Sequence, residues 1–297
     1  MPQTRVVVVG SANMDLVGTA PALPRVGETV LGTDFVMVPG GKGANQAIAA
    51  ARAGASGAFL GAIGSDSFGV TLRARITAAG VDTSQLRVTY GSSGVALVMV
   101  NAVGENLILV TPGANASLIG LTDAELAAVR DADVMVAQLE IPVETVTQAA
   151  VAARSAGTRV VLNAAPARQV PAELLDLVDM LVVNEVEAAA LTGRGREAPE
   201  ALLDLVPRAV LTLGADGAWY VDRDGTAVHV PAVEVDVVDS TAAGDAFTAA
   251  LAVAWGEGRD LLDAVRWAAA AGAACTRRLG ASVALPHRAE IDELYAR

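Results

Sequence analysis

One pattern, repeated between residues 121 and 217, narrows the possible folds more than anything else in the chain. A short apolar run ends in small or polar residues, and a helical segment follows. Residues 134–137 end in Gln138-Leu139-Glu140, 159–162 in Asn163, 180–183 in Asn184, and 209–213 in Gly214-Ala215-Asp216-Gly217. Residues 143–156 read as the first helix of the series, and Asn184-Glu185-Val186-Glu187 begins another. Apolar strands alternating with helices imply a mostly parallel sheet coated on both faces. The same grammar opens the chain. Residues 5–9 stop at Gly10-Ser11-Ala12-Asn13-Met14-Asp15, 56–63 read as a buried strand, and 66–79 as a helix. The predicted class is therefore α/β, a doubly wound mostly parallel sheet, as a single domain over 1–297.

Two stretches break the pattern. Residues 21–39 mix strand formers with Gly27, Gly32 and prolines, and read as a small antiparallel excursion. Residues 94–101 and 105–110 read as strands of a hairpin turning at Ala102-Val103-Gly104. Together, segments of about 14–39 and 94–111 predict a separate small sheet, a lid; the other reading is a pair of edge strands on the main sheet. Near the end, 219–222 and 227–230 predict a hairpin around Gly225, 261–275 a helix, and Glu290 the start of a last helix.

Composition excludes several roles. Hydrophobic residues make up 53% of the chain. Yet the longest apolar helical run, 267–275, is about half the roughly 20 residues that a span needs, so no membrane partner is expected. No signal peptide is legible, and a cytoplasmic protein is expected. The single cysteine, Cys275, precludes a disulfide framework and reads as a small buried apolar residue. A net charge of −12 without a basic cluster argues against nucleic acid as a partner. An acidic protein that handles phosphates must concentrate positive potential at helix ends, a few cations and Mg²⁺.

The stretch 238–251 concentrates the chemistry. A predicted apolar strand, 233–238, runs into Asp239; Thr241, Ala242, Ala243 and Gly244 follow, and Asp245 opens an apolar helix. The first N–H groups of a helix lack partners and its dipole is positive there, which suits phosphate. Asp245 then reads as a base for a hydroxyl beside that phosphate; in isolation the same residues read as an N-cap and a tight turn. Asn13 and Asp15, two apart, can face vicinal hydroxyls of a polyol or form Asx-turns. Gly40-Gly41-Lys42-Gly43-Ala44-Asn45-Gln46 is a second glycine-rich loop entering a helix that reaches Ala53. It lacks the G-K-[ST] ending of a P-loop. Its three glycines exceed what packing alone is expected to require, and Lys42 and Asn45 offer polar hands. No G-x-G-x-x-G follows the first strand, which argues against a nicotinamide oxidoreductase.

In order and spacing these motifs resemble the ribokinase branch of the ribokinase/phosphofructokinase-B sugar kinase family over nearly the whole chain. The stretches that carry the resemblance are PGGKGANQA at 39–47, GVALVMVNAVGEN at 94–106, PGAN at 112–115, QLE at 138–140, LNAAPAR at 162–168, NEVE at 184–187, TLGADG at 212–217 and DSTAAGDAF at 239–247. The resemblance implies ATP-dependent phosphorylation of a ribose 5-hydroxyl, with a β-lid over the sugar that also forms a homodimer contact. By matching position it implies sugar contacts at Asn13, Asp15, Gly41, Lys42, Gly43, Asn45 and Glu140. It places the Mg²⁺–phosphate end at Asn184 and Glu187, and nucleotide contacts at Thr212, Leu213, Gly214, Ala215, Asp216, Gly217, Gly244 and Ala269. It makes 242–245 the anion hole and Asp245 the base. It also implies a K⁺ site at Asp239, Thr241, Cys275, Arg278, Gly280 and Ala284, mostly through backbone oxygens. Ala284 stands where many relatives carry serine, and Ala281-Ser282-Val283-Ala284 departs from their A-Q-P-S; Ala269 stands where His or Asn is frequent. A kinase of the same family for another furanose or nucleoside, and a non-catalytic sugar sensor, are the competing functions.

Overall fold

Four consecutive valines, Val6 to Val9, need apolar cover on both sides of a strand. In the computed structural model, which describes residues 3–297, they have it. Val6 and Val8 belong to one core, Val7 and Val9 to a second on the opposite face. Side chains alternate across a strand, so each face needs its own layer of helices.

The chain begins with β1 (Arg5–Val9), β2 (Asn13–Ala20), β3 (Asp34–Gly40), α1 (Lys42–Arg52), β4 (Ser56–Gly64), α2 (Ser67–Ala78) and β5 (Leu86–Thr89). It continues through β6 (Gly94–Asn101), β7 (Asn106–Thr111), α3 (Asp123–Arg130), β8 (Val134–Ala137), α4 (Val143–Ala156), β9 (Arg159–Asn163), α5 (Ala172–Leu175), β10 (Met180–Asn184) and α6 (Glu185–Thr192). It ends with β11 (Arg208–Thr212), β12 (Ala218–Asp222), β13 (Ala227–Val230), α7 (Ala243–Gly256), α8 (Leu261–Thr276) and α9 (Arg288–Tyr295).

The large sheet has the order β13-β12-β11-β10-β9-β8-β1-β4-β5. From β11 to β5 every pairing is parallel, and β12 and β13 add an antiparallel edge. The chain winds outward from β1 through β4 and β5, then restarts at β8 and winds the other way. Strand order therefore reverses between β1 and β8, and the crevice beyond the carboxyl ends there is the natural ligand site. On one face α7 and α8 pack side by side; their buried alanines, among them Ala249, Ala250, Ala268 and Ala271, keep the contact close.

The second sheet, β3-β2-β6-β7, uses the two segments expected of the lid. Both its hairpins are antiparallel, but the inner pair β2–β6 is parallel, so the sheet is mixed. Residues 21–33 join β2 to β3 with no helix or strand. Three further differences from the sequence expectation stand out. Residues 233–238 form no strand. Pro231 follows β13 and has no N–H to continue a ladder, while the N–H groups of Val238 and Asp239 go to Thr276 O at the end of α8 (2.8 and 3.1 Å). The short edge strand β5 has too few residues to announce itself by alternation. The last helix begins two residues before Glu290, at Arg288.

Candidate active site

The turn after β1 and the start of α1 touch through their backbones. Ala44 N–H donates to Ser11 O at 2.8 Å. A Cβ on Gly43 would lie 2.5 Å from Ser11 N, one on Gly41 (φ 89°) 2.6 Å from Asn13 N, and one on Gly40 2.3 Å from Asp15 Oδ2. Close packing thus accounts for all three glycines, against the expectation that it could not. That packing presses the start of β2 onto α1 and sets Asn13 and Asp15 on one face of β2, above the crevice. Asn115, from the segment after β7, fixes the same corner: it accepts Ala12 N–H (3.0 Å) and donates to Asn13 Oδ1 (2.7 Å).

Asp245 is buried in the first turn of α7. Its two oxygens accept one N–H each, from Asn45 Nδ2 (3.0 Å) and Gln46 Nε2 (2.9 Å). Burial pushes its carboxyl pKa upward; the Lys42 charge and the two amides oppose this, Glu140 adds to it, and the net shift is upward. Glu140 accepts the Ser11 hydroxyl and the Lys42 backbone N–H (3.2 Å), so it also anchors the start of α1.

Asp15 differs from both. Among the described residues no hydrogen bond reaches its carboxylate. Burial, then the neighbouring Glu140 and Asp245 charges, raise its pKa from an ordinary 3.8 to about 7, with Lys42 pulling the other way. Lys42 is the only lysine in the chain and forms no ion pair among the described residues. Burial would lower its pKa, but Asp245, Glu140, Glu187 and Asp15 surround it and the net shift is upward, so it stays cationic. Asn45 Oδ1 is buried with no partner. An open cation and two open acceptors, Asp15 and Asn45, therefore converge beside Asp245.

A cavity of about 220 Å³ opens next to this cluster, bounded among others by Lys42, Asn163, Glu187, Thr212, Gly244 and Asp245. It lies beyond the carboxyl ends of β9, β10 and β11, to one side of the crevice between β1 and β8. Ala242 precedes α7 with φ 63°, the one non-glycine residue at positive φ among the described residues. A Cβ on Gly244 would meet nothing within 4 Å, so this glycine answers to open space rather than to packing. Ala243 N–H is turned back to Ser240 O at 3.2 Å. Within the expected anion hole, 242–245, the N–H groups available to an anion are therefore those of Gly244 and Asp245.

Asn184 and Glu187 form a reciprocal capping box on α6 (Asn184 N–H to Glu187 Oε2, 2.8 Å; Glu187 N–H to Asn184 Oδ1, 2.9 Å), and both border the cavity. Of the predicted nucleotide loop only Thr212 borders it. Leu213 is buried, Gly214, Ala215 and Asp216 form a 3-10 turn, and Asp216 pairs with Arg196 at 2.6 Å. Gly217 takes φ 89° and packs against Val230 O, and Ala269 sits half-buried on α8, away from the cavity wall.

The six residues matched to a cation site come together where the turn at 239–241 meets the end of α8 and the loop after it. Asp239 accepts Thr241 N–H and hydroxyl (2.9 and 2.7 Å) and Gly280 N–H (2.8 Å). Burial would raise its pKa, but these donors outweigh it and hold the carboxyl below the usual range. Cys275, fully buried, points its thiol at Thr241 O, and its pKa is pushed up to about 12, chiefly by burial. Arg278 donates to Ala284 O and pairs with Glu290 at 2.8 Å, so a guanidinium already occupies one of the expected carbonyl ligands.

Sequence reasoning missed Gln46, Gln138, Asn163 and Asn115. Each lies inside or beside a motif that could be read, but amide side chains carry no periodicity and no charge, and only the fold shows which of them meet.

Residues 3–288 match the model of the pfkB family of carbohydrate kinases. The chain belongs to that family. Among this kinase's relatives, the ribokinase of Bacillus subtilis is 39% identical, over 98% of this chain and 99% of its own length. The ribokinase of Haemophilus influenzae is 37% identical, over 96% of each. The solved structure of Arabidopsis thaliana ribokinase, complexed with ribose and ATP, superposes with a TM-score of 0.94 at 32% identity, covering 99% of both chains. The kinase thus shares the ribokinase-like α/β fold, and among its described residues no helix is long and apolar enough to cross a membrane.

Proposed function

We propose that this kinase transfers the γ-phosphoryl group of ATP to the 5-hydroxyl of D-ribose, giving D-ribose 5-phosphate and ADP. One observation carries the reading: a buried carboxylate, Asp245 at the start of α7, is held by two amides while acceptors with no protein partner, Asp15 and Asn45 Oδ1, lie beside it. Hydroxyl groups of a sugar are the donors that Asp15 and Asn45 lack. Lys42 lines the cavity, and Asn13, Gly41, Gly43 and Glu140 are assigned to the sugar beside it. The identity to ribokinases along the full chain supports ribose among sugars.

Phosphoryl transfer passes through a loose transition state, so positioning and charge do most of the catalysis. Asp245 accepts the 5-hydroxyl proton as the oxygen attacks phosphorus. The N–H groups of Gly244 and Asp245 face the oxygens of the migrating group, each such donor worth about 3 kcal/mol. Lys42 contributes the one local ammonium in a chain of charge −12. Mg²⁺ bound with the nucleotide phosphates would neutralise their charge, with Asn184 and Glu187 as the chain's groups at that end, reached through water. Nucleotide contacts are assigned to Thr212 through Gly217 and to Ala269, and a K⁺ to the loops carrying Asp239, Thr241, Cys275, Arg278, Gly280 and Ala284. A K⁺ titration of kcat tests the last assignment.

The lid supports a homodimer. Strand register puts Phe35, Met37, Leu97, Met99, Leu107 and Leu109 in two cross-strand rows on the face opposite Asp15, and all six are exposed. A second copy covering this face would bury them and the edge strands β3 and β7. A cytoplasmic setting fits the single free thiol.

A coupled ADP-release assay over a panel of sugars and nucleosides tests the reaction. Ribose should give the highest kcat/KM, and Asp245→Asn should lower kcat by about a thousandfold while ribose still binds. Near-normal turnover by that variant would refute the base.

A further inference from the structure

Behind Asp245 lies a chain of buried amides, of which only Asn163 reaches the cavity wall. Gln46, on α1, is fully buried. Its Nε2 donates to Asp245 Oδ1 (2.9 Å) and to Asn163 Oδ1 (3.0 Å), and its Oε1 accepts from Gln138 Nε2. Asn163 in turn donates Nδ2 to the backbone carbonyl of Val182 on β10 (3.1 Å). An amide could point either way, but a carbonyl can only accept. Val182 O therefore requires the NH₂ of Asn163, which turns Asn163 Oδ1 toward Gln46. Gln46 must answer with its own NH₂, and the second hydrogen of that group falls on Asp245. The oxygen left over is met by Gln138. Gly10 serves the same network, because a Cβ there would lie 2.0 Å from Gln138 Oε1.

We infer that Gln46 is a positioning residue for Asp245: its amide, locked in polarity by Asn163 and the Val182 carbonyl, keeps Oδ1 supplied with a donor and so holds the base oriented and proton-free. Gln46 itself is absent from the cavity wall, so it acts on Asp245 from behind rather than on a ligand. The same donor opposes the rise in the Asp245 pKa that burial causes. Other charged or titratable groups facing Asp245 are Lys42 on α1, Asp15 on β2, Glu140 after β8, Glu187 on α6 and Cys275 on α8. None of them donates a hydrogen bond to its oxygens among the described residues. This inference rests on the reading of Asp245 as base.

The test uses kcat at saturating ribose and ATP, measured against pH, for Gln46→Leu and for Gln46→Glu, which keeps the shape. Gln46→Leu should lower kcat at neutral pH by about tenfold or more, the worth of one hydrogen bond to a charged group. Its acid limb should move to higher pH, so that activity recovers as pH rises, and the ribose Kd should stay within about threefold. Gln46→Glu places a carboxylate against Asp245, so the two must share a proton; its loss at neutral pH should be greater, with the limb moved the same way. If Gln46→Leu fails to fold, Gln46→Glu carries the test alone. A kcat lowered by one constant factor at every pH, or an unchanged kcat, overturns the inference, as does a loss wholly in ribose Kd. Asp245→Asn run alongside separates the failures. If it is inactive while the Gln46 variants behave as wild type, only the positioning role falls; if it is active, the base assignment falls with it.

Discussion

Ribose affinity should depend on pH through one residue, Asp15. Its carboxylate receives no hydrogen bond among the described residues and sits near Glu140 and Asp245, and its pKa stands at about 7. A sugar hydroxyl donates to the ionised form and loses that acceptor when the acid is protonated. Affinity should therefore rise as pH climbs through about 7 and then level off. For one such group the apparent Kd at pH 6 is about tenfold weaker than at pH 8. Calorimetric titration with ribose, without nucleotide, reads this directly. Asp15→Asn should bind weakly at both pH values and show no such slope.

Stability gives a second, opposite reading of the same residue. The folded protein holds the Asp15 proton more tightly than the unfolded chain, where its pKa is an ordinary 3.8. Between the two values the folded state binds more protons, so stability falls as pH rises through the window. Above about 7 the full cost is present, up to about 4 kcal/mol. Asp15→Asn removes that cost and should raise Tm at pH 8 by several degrees while ribose binding is weakened. A wild-type ribose Kd that is flat from pH 6 to 8, or an Asp15→Asn variant that melts lower at pH 8, would show that the carboxylate is neither strained by its neighbours nor reserved for the sugar.

Other outcomes follow from single contacts. Gly43→Ala puts a Cβ 2.5 Å from Ser11 N and 2.6 Å from Gly10 C, two backbone groups that cannot yield; the soluble yield or Tm should fall sharply, a loss above about 4 kcal/mol. Ala242→Gly relieves an alanine at φ 63° and should stabilise the protein by about 1 kcal/mol in calorimetry. Lys42→Met removes the one ammonium at the site and leaves the carboxylates around it uncompensated, so it should lower kcat/KM by at least about tenfold and lower Tm as well. Met37→Asp or Leu109→Asp, on the exposed lid face, should give monomers by light scattering; an unaltered oligomeric mass would place the contact elsewhere.

The βα alternation told the class of fold, because a strand buried on both faces must be apolar throughout and must end where the chain meets solvent. Val6 to Val9 and residues 180–183 show this directly. Asp245 was legible too, since small residues before an acidic helix start have few uses besides a close ligand. Other features had no local signal. Residues 233–238 are rich in valine, as strands are, yet no sheet edge is offered to them once Pro231 has left β13. The lid's inner pair is parallel because β2 and β6 arrive from distant parts of the chain, which no hairpin pattern records. Gly41 and Gly43 are needed for backbone contacts with residues about 30 positions earlier in the chain, and Gly40 leaves room for the Asp15 carboxylate. The donors to Asp245 come from α1, some 200 residues before it. By itself the sequence determined the period of burial and the backbone freedom of each segment, because those depend on neighbours along the chain. Which way Gln46 points, and therefore whether Asp245 stays ready to take a proton, was decided only when folding brought α1, β9 and β10 together, because an amide's polarity is fixed by partners in space.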